Sequence, residues 1–95
     1  MRFEWDPAKE AQNQAKHGLV FGDITGLFSS GVDYLEIPDL EHDEEDRFIA
    51  IGPVVRGVVM VVFTERSEDT IRIISARRAT KPEITLYRQH LGAPP

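Results

Sequence analysis

Val58-Val59-Met60-Val61-Val62-Phe63, followed after a short polar turn by Thr70-Ile71-Arg72-Ile73-Ile74-Ser75-Ala76, is the stretch on which the fold turns. The first run is apolar at every position, so both of its faces are buried and it belongs in the middle of a sheet. The second is rich in β-branched residues, the mark of a strand. Only a few polar residues around Ser67-Glu68-Asp69 separate the two, too few for a crossover helix, so they pair antiparallel. The same reasoning at Arg56-Gly57 places a strand over residues 47–51 beside them, with another over 33–37 before it. The expected sheet is an antiparallel four-stranded meander, with residues 2–5 as a candidate short extra strand at the N-terminus.

Outside these strands the period is helical. Asp6-Pro7 reads as a helix start, aspartate capping and proline in the first turn, and Lys16-His17-Gly18 as its stop. Ala8, Ala11 and Ala15 recur at helical spacing on one side of this helix. Lys9, Asn13, Lys16 and His17 form a polar stripe about 100–180° around from the alanines, on the exposed side. A second short helix is expected over residues 21–29, with Ile24, Leu27 and Phe28 inward and Gly31 ending it. Thr80-Lys81-Pro82-Glu83 has the capping-box pattern and opens a last helix on which Ile84, Tyr87 and Leu91 share a face. Gly92 ends that helix, and Ala93-Pro94-Pro95 is expected to fray. The fold class is therefore α+β: two N-terminal helices, the meander, then one C-terminal helix, all in one domain over residues 1–95.

Composition narrows the function. At 95 residues, 41% hydrophobic and 28% charged, the chain is an ordinary globular domain. It has no cysteine, which rules out disulfides, thiolate metal sites and cysteine nucleophiles. The longest apolar run is far short of a membrane span, and the first residues lack a signal-peptide core, so the chain is expected in the cytoplasm. The net charge of −5 conceals an imbalance: residues 1–46 sum to −9 and residues 47–95 to +4. A solvated acidic loop at residues 41–46 accounts for much of the first half. The second half has room for a local basic surface.

Arginine carries that surface. Arg66, Arg72, Arg77 and Arg78 fall within thirteen residues, with Lys81 and Arg88 near by. Guanidinium groups suit bidentate phosphate binding and stay charged through a catalytic cycle. Arg66 and Arg72 meet across the turn between their strands. Arg72, set between Ile71 and Ile73, is the member expected to serve the fold, and some of the set are expected to pair with Glu65, Glu68 and Asp69. His17, His42 and His90 lie in separate elements without metal-ligand spacing, and no glycine-rich phosphate loop occurs, so no metal or cofactor is expected.

These residues resemble a family. Trp5-Asp6-Pro7-x-Lys9, Asn13-x-x-Lys16-His17-Gly18 and Phe21 look like the opening of BrnT-type toxins, halves of bacterial type II toxin–antitoxin pairs. Arg47 with Gly52, Thr64-x-Arg66, the run Ile71-Arg72-Ile73-Ile74-Ser75-Ala76-Arg77-Arg78-Ala79, and Glu83 with Tyr87 continue the likeness over nearly the whole chain. Pro82 and Ile84 stand where relatives commonly carry basic residues, which thins the positive surface at the start of the last helix.

The resemblance implies a RelE-like ribonuclease fold and metal-independent RNA cleavage by 2′-hydroxyl attack, inhibiting translation and growth. It casts Arg66 and Arg77 as transition-state cations, Lys16 and His17 as base or acid, and Tyr87 as a second acid or a stacking surface. Lys9 and Arg78 would grip flanking phosphates. The implied partner is a ribbon-helix-helix antitoxin in a 2:2 heterotetramer that touches DNA only through the antitoxin. A second reading, a weakly catalytic or non-catalytic module that binds its antitoxin and acts as a corepressor, fits the same composition.

Overall fold

The computed structural model describes residues 1–40, 46–55 and 57–92. Residues 41–45, 56 and 93–95, and with them most of the expected acidic loop at 41–46 and the expected frayed end, lie outside the described residues. The elements run β1 (Arg2–Glu4), α1 (Pro7–His17), α2 (Phe21–Ile24), α3 (Gly26–Ser29), β2 (Leu35–Pro38), β3 (Arg47–Val54), β4 (Gly57–Ser67), β5 (Thr70–Arg78) and α4 (Lys81–His90). They build one five-stranded sheet in the order β1-β5-β4-β3-β2. The apolar run at residues 58–63 lies in β4, at the centre of the sheet as its composition requires.

Two expectations are corrected. The sheet is mixed rather than a four-stranded antiparallel meander: β2 to β5 are antiparallel, but β1 joins β5 in parallel, pairing Arg2–Glu4 with Thr70–Arg72. A parallel neighbour needs a long connection, and the rest of the chain supplies it. The second N-terminal helix is two four-residue segments that meet at Thr25. Ile24 and Leu27 still reach the core, with Phe28 packed at its margin.

The core lies on one face of the sheet. Val59, Val61 and Phe63 from β4, with Ile71, Ile73 and Ala76 from β5, pack under Leu19, Phe21, Ile24 and Leu27. Phe63 meets Phe28 edge-on at 4.9 Å between ring centroids, and Phe28 meets Tyr34 at 5.4 Å. Gly52 of β3 is fixed by close approach: a Cβ there would lie 2.5 Å from Leu27 Cδ1 and 2.7 Å from Tyr34 Cβ. The opposite face is partly covered by α4, whose Tyr87 is buried while Leu86, and Leu91 just beyond the helix, stay exposed. Ile37, Ile49 and Val62 on that face are only half-buried.

Candidate active site

The site begins with how α1 is held. Asp6 caps it, its side chain accepting from Ala8 N at 2.9 Å, and Gly18 closes it in the left-handed region at φ 71°. The face turned to the sheet is not the alanine face. Ala8, Ala11 and Ala15 are exposed, and Glu10, Asn13 and His17 turn inward, with Asn13 at 7% exposure. Glu10 Oε2 accepts from Phe21 N at 3.0 Å, and Asn13 Oδ1 accepts from Ala76 N at 3.1 Å.

The register of β1 explains this orientation. β1 pairs only with Thr70–Arg72, so beyond Arg72 the outer edge of β5 lacks a strand among the described residues. A buried backbone N–H left unpaired there would cost about 1–3 kcal/mol. A buried methyl contributes about 0.8 kcal/mol, and alanine offers one such methyl but no acceptor. Asn13 takes the place of a neighbouring strand at Ala76. Its own Nδ2 is buried without a partner among the described residues.

A helix cannot lie as close to a strand as another strand does, and the gap left over is a groove of about 510 Å³ between α1 and β5. Lys9, Gln12, Asn13, Lys16 and His17 line one wall, and Met60, Ile74, Ser75, Ala76 and Arg77 the other. The structure therefore brings together Lys9, Lys16, His17 and Arg77. Two smaller hollows, lined by residues such as Leu19, Asp23, Val54 and Val55, carry no basic side chain among the described residues.

The other candidates lie elsewhere. Arg77 pairs with Met60 across the ladder, so Arg66 is six residues further along β4, about 20 Å away at strand rise. Arg66 Nε and Arg72 Nη1 both reach Glu4 Oε1, at 3.5 and 3.4 Å. The sequence points to Glu65, Glu68 and Asp69 as partners for some of these arginines, yet Arg66 and Arg72 meet Glu4, because β1 lies alongside; Asp69 instead meets the N-terminal ammonium at 3.2 Å. Arg78 follows Arg77 along the strand and so points to the opposite face, in register with Val59. Tyr87 is not in the groove: its hydroxyl donates to the Asp33 carbonyl at 3.2 Å. Burial, then the Asp33 charge, raises its pKa above the usual phenol value. Thr64, in the Thr64-x-Arg66 element, is buried and donates to the Asp46 carbonyl at 2.6 Å, tying β4 to the start of β3.

Arg77 is the best-fixed cation of the set. Its Nη1 and Nη2 donate to Glu83 Oε1 and Oε2 at 2.8 and 2.9 Å, and Nη1 also donates to the Arg78 carbonyl at 3.1 Å. Glu83 Oε1 in addition accepts from Thr80 N at 2.8 Å, completing the capping box of α4. The Arg77 hydrogen bonds pull the Glu83 carboxyl below the usual carboxylate range, burial opposing them. Pro82, in the first turn of α4, needs no N–H there. Glu83 is the member that sequence reasoning missed as part of the site, whereas Asn13, read on the exposed polar stripe, is buried against β5. Glu83 had a signal in the capping box, which accounted for it as helix chemistry alone.

A family model described as the ribonuclease toxin BrnT of a type II toxin–antitoxin system matches residues 5–83. The crystal structure of the ribonuclease toxin BrnT from Brucella abortus is similar to this chain at 29% identity and a TM-score of 0.64. The match covers 85% of this chain and 99% of that one. No curated protein matches the sequence.

Proposed function

The chain belongs to the BrnT family of ribonuclease toxins of type II toxin–antitoxin systems, and from that membership we propose that the groove between α1 and β5 is where RNA is cut, without a metal ion. The carrying observation is the convergence of Arg77, Lys9, Lys16 and His17 on one open space. RNA holds its own nucleophile. A base removes the 2′-hydroxyl proton, the 2′-oxygen attacks the adjacent phosphorus, and the 5′-oxygen leaves with a proton from an acid. The products are a 2′,3′-cyclic phosphate and a 5′-hydroxyl.

The protein must place the strand and neutralise charge growing on the phosphate oxygens. Arg77 is assigned to those oxygens, His17, whose imidazole lines the groove, to proton transfer, and Lys9 and Lys16 to flanking phosphates. Arg66, far along β4, is assigned to a more distant phosphate, and Tyr87 to holding α4 through Asp33. Arg78 faces away and is left out of the cleavage step.

The partner proposal rests on the same charge. An acidic segment of a ribbon-helix-helix antitoxin fits the cationic groove and would silence it, and the dimeric antitoxin would carry two toxins and make the only contact with DNA. The test of function is cleavage of a labelled RNA by the purified chain in excess EDTA, with end-group analysis and growth after induced expression. Cleavage giving cyclic phosphate ends, with growth arrest, supports the proposal. Intact RNA and indifferent growth would favour the binding-module reading instead.

A further inference from the structure

An arginine has five N–H donors on a rigid plane, arranged as two usable edges. In Arg77 the end-on edge, Nη1 with Nη2, is filled by both oxygens of Glu83, and the remaining Nη1 proton faces the Arg78 carbonyl. The side-on edge, Nε–H with the second Nη2–H, has no protein partner among the described residues. Arg77 itself lines the groove, its side chain 34% exposed. One fork is anchored in the protein and the other is left to a ligand.

The anchor is itself anchored. Glu83 sits in the first turn of α4, where Thr80 Oγ1 accepts from Glu83 N at 3.4 Å and Glu83 Oε1 accepts from Thr80 N at 2.8 Å. The carboxylate therefore has a fixed plane before it meets the guanidinium. A flexible four-bond side chain becomes a donor pair of set direction, and the ordering cost is met during folding rather than during binding. The site's other cations, Lys9 and Lys16, are exposed on α1.

We infer that Glu83 is a positioning residue of the cleavage reaction, holding Arg77 by one edge so that the other meets the scissile phosphate in a single orientation. The inference rests on the assignment of Arg77 to the phosphate oxygens. It predicts a specific kinetic signature, because a fixed donor pair matters most where charge develops and less where RNA merely binds.

The experiment compares four proteins under single-turnover and saturation kinetics: the unaltered chain, Glu83→Gln, Arg77→Ala and the double variant. Glutamine at this position keeps an oxygen for Thr80 N, so the helix cap survives and only the charged fork is lost. Glu83→Gln is expected to lower kcat at least about tenfold, as a small misplacement of a catalytic group does, with KM nearly unchanged and cooperative melting retained at a somewhat lower temperature. In the Arg77→Ala background the same substitution should have no further effect on kcat.

Two results would overturn it. Faster turnover in Glu83→Gln would mean that the carboxylate competes with RNA for Arg77. An undiminished loss from Glu83→Gln in the Arg77→Ala background would mean that Glu83 acts on its own. Full activity in Arg77→Ala alone would instead refute the assignment of Arg77, and with it the basis for this role.

Discussion

The two halves of β5 face the same problem at their outer edge and solve it differently. Thr70–Arg72 pair with a strand, β1, which fills the edge completely. From Ile73 onward the neighbour is a helix, which takes up the Ala76 N–H with the Asn13 side chain. The groove lies beside the helix-paired half. The arginines follow the same division. At the first half, Glu4 is shared by Arg66 and Arg72 through single contacts of 3.4–3.5 Å, with Arg66 and Glu4 about half exposed. At the second, Arg77 grips the Glu83 carboxylate with two bonds below 3 Å. The difference teaches where catalysis can be expected in a basic sheet: at the arginine whose direction is fixed and whose neighbour leaves room for a ligand.

The largest effect should come from the arginines themselves. Replacing Arg77 with alanine removes a preorganised donor pair, and RNA cleavage should fall by about 10²–10³. Arg66→Ala removes a loosely held cation some distance away, and should act mainly on KM. Steady-state kinetics of both variants on one RNA checks this. Equal losses in kcat would erase the distinction between the two ends.

The next largest concerns the edge. Asn13→Ala leaves the Ala76 N–H buried without an acceptor, at a cost of about 1–3 kcal/mol in stability by urea unfolding. Because Asn13 also spaces α1 from β5, cleavage should drop along with it. Unaltered stability would show that Asn13 does not replace a strand. At Gly52 in β3 the comparison reaches the core: alanine would press on Leu27 and Tyr34 and should cost about 1–3 kcal/mol, with no change in catalysis per folded molecule.

Protonation separates the same regions. Glu83 has a folded-state pKa held below its ordinary value, so its pairing contributes stability above that ordinary value, lost as pH falls through the depressed one. The stability gap between the unaltered chain and Glu83→Gln should therefore narrow on the acid side. Glu36 of β2 behaves in the opposite sense: burial, then the Glu65 charge, raises its pKa, so a penalty present near neutrality is relieved as pH falls. Acid titrations of Glu83→Gln and Glu36→Gln followed by fluorescence of Trp5 would show a deficit closing in the first and an advantage closing in the second.

Much of this was legible in the sequence, and what was not has physical reasons. The centrality of β4, the start of α1 and the cap of α4 follow from local chemistry that needs no partner: an unbroken apolar run, Asp6-Pro7, and Thr80 three residues before Glu83. The orientation of α1 could not be read that way. Three alanines at helical spacing suggest an inward face only if burial decides, whereas here an unpaired strand edge decides, and that edge exists because β1 is three residues long. The separation of Arg66 from Arg77 was hidden for a related reason. Eleven residues apart in sequence, they lie near opposite ends of one hairpin, a fact carried by register rather than composition. The parallel pairing of β1 depends on contacts nearly seventy residues apart, beyond any local pattern.

The smallest effect is expected at Glu4, and it sharpens the contrast most. Exposed ion pairs are worth about 0.2–1 kcal/mol and weaken with salt, and Glu4 makes two such contacts through one oxygen, neither short. Its backbone pairing with β5 does not depend on the side chain, so Glu4→Gln should keep β1 in place. Stability should fall by about 0.5–1 kcal/mol at low ionic strength, and the difference should fade in high salt. Arg66 and Arg72, released from a shared carboxylate, would then offer more positive charge to RNA, so KM should fall slightly while kcat stays constant. Glu4→Gln and Glu83→Gln thus remove the same charge from a carboxylate facing arginine, yet one should leave turnover untouched and the other should cripple it. If Glu4→Gln lowered kcat as Glu83→Gln does, the catalytic arginine would have to be sought at the strand-paired end of β5, and the groove would lose its claim to the reaction.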